Sequence, residues 1–167
     1  MLNLLSNHTN TSNIHLTVAA VIEYNNKFLL VTDNTKNGFK LNQPAGHVED
    51  GEGIIDAIIR EVKEETNIDF IPKNLVGIYL CKLHPDHTYL RICFKGVISG
   101  NIDNPHPYSD DDGVIEAKWY TLDEVNQLSI QQLRSPLVKQ CLDDYLKNIE
   151  FDLSIIHPYQ DYCKTNG

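Results

Sequence analysis

The sequence is short of cysteine and of positive charge, and each shortage removes a class of protein. Its four cysteines, Cys81, Cys93, Cys141 and Cys163, stand far apart, with no CxxC pair and no His/Cys cluster at zinc-ligand spacing. They read as reduced thiols. Lys and Arg total 14 against 23 Asp and Glu, for a formal charge of −9. The cations are scattered singly, which argues against the basic face that duplex nucleic acid needs. The opening MLNLL has no basic residue and gives way to the polar SNHTNTSN. Neither a secretory leader nor a membrane span is expected there, and the expected compartment is the cytoplasm. There is no internal repeat, and no low-complexity block beyond the Asn-rich start.

What is present fits one globular domain. About 41% of the 167 residues are hydrophobic, enough for a sizeable core. Residues 1–13 are polar and expected to be flexible, with a single domain over 14–167. HLTVAAVIEY and KFLLVTD read as two strands of a hairpin joined by NN. NTKNGFKLNQPAGHVEDGEG is expected to be loop, punctuated by Gly and Pro. A helix follows from about Gly53 to Thr66. LVGIYLCKL, TYLRICFKGVI and IEAKWYTL are further strands, while LDEVNQL and SPLVKQCLDDYLKNI are helical, the latter with Ser135 as N-cap and Pro136 at the first position. This mixed order predicts an α+β fold, or a sheet sandwiched by helices, not a repeating βα barrel or parallel sheet.

The helix carries the chemistry. At about 100° per residue, Ile55, Ile58, Ile59 and Val62 share an apolar face. Glu61, Glu64 and Glu65 crowd one edge of it. Acidic neighbours three and four apart repel, so the arrangement is either a solvated acidic face paired with Arg60 or a set of hard oxygen ligands for Mg²⁺, with Mn²⁺ as an alternative. An acidic protein acting on an anionic small molecule needs such a cation. Gly46, in the preceding loop, lets backbone and ligand approach closely.

Gly46, Glu52, Arg60, Glu61, Val62, Glu64, Glu65 and Ile68 reproduce the spacing Gly, five residues, Glu, seven residues, Arg-Glu-apolar-any-Glu-Glu-any-Gly-apolar. This pattern resembles the signature of the Nudix hydrolases. Asn67 replaces the family's Gly, and since Asn tolerates the left-handed region, the departure bears on the helix end more than on chemistry. HLTVAAV, KFLLV, NQPAGH, YLRICF, KWYTLDEV and LRSPLV extend the resemblance, toward the NudJ-type phosphatases, over about residues 15–146.

The resemblance implies a Nudix-type α/β/α sandwich with a mixed sheet and Mg²⁺-dependent cleavage of pyrophosphate bonds. The substrate would be a nucleoside di- or triphosphate, or a small organic diphosphate such as that of the thiamine pyrimidine precursor. It implies Glu61 and Glu65 as principal metal ligands, Glu64 as a further ligand or base, and the Gly46 carbonyl as another ligand. Glu52 and Arg60 read as a structural ion pair. Glu116 is a candidate base or ligand on a strand, with Asp110, Asp111 and Asp112 as rivals.

Arg91 either meets substrate phosphate or lies on the surface, and His47 follows Gly46 toward substrate or a nearby water. No base clamp is assigned to Phe39, Tyr79 or Tyr89. The expected partner is a small diphosphate or nucleotide, with no duplex nucleic acid and no membrane. Two other readings stay open, a Nudix-fold nucleotide sensor without turnover and an isomerase of a short prenyl diphosphate.

Overall fold

The structure is a computed structural model that describes residues 13–108 and 113–160. Thus residues 1–12 of the expected flexible start, together with Asp110 to Asp112 and Cys163, lie outside the described residues. The strands are β1 (Asn13–Val21), β2 (Glu23–Tyr24), β3 (Lys27–Thr35), β4 (Gly38–Asn42) and β5 (Ala45–His47), then β6 (Ile68–His84), β7 (His87–Gly100), β8 (Val114–Thr121) and β9 (Phe151–Asp152). The helices are α1 (Ile54–Thr66), α2 (Leu122–Gln127) and α3 (Leu137–Leu146).

Two sheets form. One runs β5-β1-β7-β6-β9 and is mixed, because β1 lies parallel to β7 while its other pairs are antiparallel. In the other, β3 pairs antiparallel with β2, β4 and β8.

Strand alternation builds the layers. Val18, Ala20, Leu29 and Val31 face one core, where Ala57, Ile58 and Val62 of α1 pack. Ala19, Val21, Phe28 and Leu30 face the other, against Val138, Cys141 and Leu142 of α3. Successive strand residues point to opposite faces, so β1 and β3 each serve both helices. The result is the expected α+β sandwich with a mixed sheet. Ile58 and Val62 are fully buried, and each stabilises the packed helix by about 1.5–3 kcal/mol relative to leaving it exposed.

Several local expectations are corrected. The Asn25-Asn26 turn is real, both residues adopting the left-handed conformation of a two-residue hairpin, but it joins β2 to β3. β1 pairs instead with β5 and β7 in the other sheet, the chain changing sheets at Ile22. The expected loop over NTKNGFKLNQPAGHVEDGEG contains β4 and β5, strands short enough to fit between its glycines and Pro44. Ile59 is exposed, since α1 buries Ala57, Ile58 and Val62. Pro136 already has helical dihedrals, and Ser135 makes no side-chain cap.

At its C-terminus α1 ends on Asn67, with φ 55° and ψ 19°, its N–H donating to the Lys63 carbonyl at 2.9 Å. Asparagine takes the left-handed role of the family's glycine. Asn67→Ala should lower unfolding stability by about 1 kcal/mol, whereas Asn67→Gly should leave it equal or higher. Urea denaturation reads both, and an Ala variant as stable as the parent would contradict this account of the helix end.

Candidate active site

The site begins with one guanidinium. Arg60 Nε and Nη2 donate to the two carboxylate oxygens of Glu52, at 2.8 and 2.9 Å. Nη1 donates to Glu61 Oε1 at 2.8 Å and to Glu64 Oε2 at 2.9 Å, and Nη2 also reaches the His47 carbonyl at 3.0 Å. Helical spacing puts Glu64 one turn from Arg60, while the loop before α1 brings Glu52 back onto it. The bidentate pair is the strong form of an Arg–carboxylate contact and fixes loop against helix, as the sequence led us to expect. These bonds raise the Arg60 pKa, the Glu52 contact most of all. They hold the Glu52 carboxyl below its ordinary value in turn.

Glu65 is buried, and its Oε2 accepts the Ala45 N–H at 2.8 Å, tying α1 to β5. Gly46 lies beside it on β5. A Cβ there would sit 2.0 Å from Glu61 Oε1, so the absence of a side chain makes the room that the Glu61 carboxylate occupies. Three formal carboxylates, those of Glu52, Glu61 and Glu64, thus share the Arg60 guanidinium. Glu64 is the most open of the three helix glutamates expected as ligands, with 38% of its side chain exposed.

Glu61, Glu64, Glu65 and Gly46 line one cleft of about 810 Å³. Among the described residues no three His, Cys, Asp or Glu side chains already stand in an ion-holding arrangement. Arg60 Nη1 donates to both Glu61 and Glu64. The groups that could receive a cation are these carboxylates and the Gly46 carbonyl.

The other expected residues divide. His47 lines the cleft, its ring 5.7 Å from His15 and 6.4 Å from Tyr89. Burial lowers its pKa, with repulsion from His15 and Arg134 adding to the effect. Arg91 also lines the cleft but is buried, donating to Gln43 Oε1 at 3.3 Å, so it is a wall residue and not a surface arginine. Glu116 does not join them. It is exposed on β8 opposite Thr32 of β3, outside the cleft lining.

The sequence reading missed Asp33, Asn42 and Arg134. Arg134 Nε meets Asp33 Oδ2 at 3.2 Å, and Asn42 Nδ2 lies 3.5 Å from the same oxygen. Burial raises the Asp33 pKa, partly offset by Arg134 and Asn42. Only LRSPLV hints at this group in the sequence, as a helix start whose exposed N–H groups suit phosphate or as a plain structural cap.

The fold, the glutamate edge and the cleft define a family. The NUDIX domain profile matches residues 13–141, and the chain belongs to the Nudix hydrolases, enzymes that generally use divalent metals. It is 35% identical over 144 residues to the phosphatase NudJ of Escherichia coli strain K12, covering 85% of this chain and 90% of that protein. A Nudix hydrolase from Nitrosomonas europaea is similar in structure, with a TM-score of 0.79 at 40% identity over 88% of this chain and 98% of its own. The MutT protein of Methanosarcina mazei shares the fold, with a TM-score of 0.66 at 23% identity, covering 83% of this chain and 97% of that one. The chain is therefore a hydrolase of the Nudix class. No helix among the described residues is long and apolar enough to cross a membrane.

Because Arg60 depresses the Glu52 pKa, the ionised carboxylate contributes stability above its unfolded value near 4.5, and that contribution disappears as pH falls through the lower folded value. Glu52→Gln should cost about 1.5–3 kcal/mol of stability at pH 7, with the difference from the parent closing below pH 4.5. Urea titrations at neutral and acid pH check it. A penalty independent of pH would show that the Glu52 charge is not what matters.

Proposed function

We propose that the chain is a Mg²⁺-dependent pyrophosphohydrolase, with Mn²⁺ as a substitute ion. Its substrate is a nucleoside di- or triphosphate or another small organic diphosphate, such as that of the thiamine pyrimidine precursor. The observation that carries this reading is the meeting of Glu61, Glu64 and Glu65 with Gly46 in one cleft. The residues fit a hard cation, since the donors are all oxygens and the Gly46 position leaves the Glu61 carboxylate its place. When bound, the ion supplies positive charge to the phosphoryl oxygens and acidifies an attacking water.

The chain's own groups do the rest. Glu61 and Glu65 hold their carboxylates at the helix edge, Glu65 fixed by the Ala45 N–H. Arg60 keeps the Gly46 to Glu52 loop on the helix through Glu52 and the His47 carbonyl. Glu64, the most open of the three, takes the proton of the water at its carboxylate. Glu116 has no part in this scheme. The similarity to NudJ supports a phosphatase outcome, and the free thiols of Cys81, Cys93 and Cys141 agree with the cytoplasm.

Phosphate or pyrophosphate release from a substrate panel should require Mg²⁺ and stop with a chelator. Glu61→Gln and Glu65→Gln should each lower kcat by about 10²–10³-fold while remaining folded. Gly46→Ala should also stay folded, because its clash is with the movable end of the Glu61 side chain, yet lose activity. Binding without release would favour a sensor, and full activity in the folded Glu variants would remove Glu61 and Glu65 from the catalytic machinery.

A further inference from the structure

Histidines gather at one end of the five-stranded sheet, apart from the glutamate edge. His15 comes from β1, while His84 and His87 flank the turn between β6 and β7 and are paired across it. β1 runs parallel to β7 with His15 opposite Tyr89, and His87 lies two residues before Tyr89 on the same strand. All three therefore share one face of the sheet. His15 precedes His87 by 72 residues, so the spacing along the chain conceals a group that strand pairing assembles.

The rings are close enough to share an ion. His15 Nε2 and His87 Nδ1 are 2.7 Å apart, a contact in which one ring donates its N–H to the lone pair of the other. Ring centroids stand 4.9 Å apart for His15 and His87, and 5.3 Å for His84 and His87. Two imidazoles on one tetrahedral ion, each nitrogen at about 2.0–2.1 Å, have centroids about 5 Å apart and nitrogens about 3.3 Å apart. Both centroid spacings match.

Among the described residues no three side chains already stand around an ion. Binding therefore needs His15 and His87 to part by about 0.6 Å and His84 to turn inward. His84 has the room, with 61% of its side chain exposed, and its bond from the Asp86 N–H is long at 3.3 Å. The Asp86 carboxylate, 3.9 Å from His84 Nδ1, adds negative charge beside an incoming cation.

We propose that His15, His84 and His87 form a second metal site, for a borderline ion such as Zn²⁺. Donor chemistry separates it from the edge of α1, because neutral imidazoles suit Zn²⁺ while carboxylates and a carbonyl suit Mg²⁺. The site stands whether or not the chain hydrolyses a diphosphate. Three histidines leave the fourth position of a tetrahedral ion to water. A bound ion pins the start of β1 to the β6-β7 turn. It also bears on the cleft, since Tyr89 lines the cavity and stacks on the His15 ring at 5.0 Å.

Calorimetry of Zn²⁺ into the full chain, with millimolar Mg²⁺ competing at the glutamates, should show one tight site. Uptake should persist in Glu61→Gln, in His157→Asn and in Cys81→Ser, which removes a partly exposed thiol paired across the strands with Tyr89. It should weaken by at least about tenfold in each of His15→Asn, His84→Asn and His87→Asn. Zn²⁺ should also raise the melting temperature of the parent but not that of His87→Asn. Where an Asn variant does not fold, imidazole proton resonances of the parent decide, those of His15, His84 and His87 shifting together while that of His157 stays still. No uptake in excess Mg²⁺, uptake unchanged in His87→Asn, loss of uptake in Cys81→Ser or Glu61→Gln, or shifts that spare the three rings would overturn the site.

Discussion

Everything at the site depends on the repulsion between carboxylates gathered on one edge of α1 and the cation that must stand among them. Glu61, Glu64 and Glu65 follow one another within two helical turns, and as bare charges they would work against the helix that carries them. Arg60 is the protein's own answer. Its guanidinium takes both oxygens of Glu52 and one each of Glu61 and Glu64, satisfying most of its donors at once. The same side chain therefore tempers the acidic edge and draws the preceding loop onto the helix. Because it contacts two of the carboxylates expected to bind metal, the geometry of the edge is linked to whether a stronger cation is present.

That edge is useful only because the fold fixes it. Ile58 and Val62 drive α1 into the core, and the Glu65 contact with the Ala45 N–H locks the helix to β5, an edge strand paired with β1. The lack of a side chain at Gly46 brings that strand close enough for the Glu61 carboxylate to fill the gap. Apolar burial and polar anchoring thus meet along one helix. The opposite layer, built on α3, supplies Leu137 and, through the turn that leads into it, Arg134 and Ser135 to the same cleft. The two helical layers reach a single cavity from opposite sides of the sheets.

How much of this was legible in the sequence follows from how local each feature is. The glutamates, Arg60, Glu52 and Gly46 lie within 20 residues at fixed spacing, so both the ion pair and the acidic edge could be read directly. Asn67 could be read as a helix end because its backbone tolerance is intrinsic. β4 and β5 were hidden, since Gly and Pro around short segments look the same in loops and edge strands. Ile59 follows the helical apolar pattern yet faces outward, because the core claims only the narrower face around Ala57, Ile58 and Val62.

Glu116 looked suitable by type, but its outward direction depends on the register of β8 against β3, which shifts at Thr32/Asp33. Asp33, Asn42 and Arg134 come from three separated segments and share no motif. Only tertiary pairing joins them.

The central claim is that the glutamate edge of α1 holds a hard divalent ion, and Mn²⁺ titration followed by electron paramagnetic resonance addresses it without any substrate. As protein is added, the free-ion signal should fall in a saturable way, and this uptake should vanish in Glu61→Gln with the fold retained. A free-ion signal that never falls, or uptake of the same strength in the Gln variant, would contradict the claim.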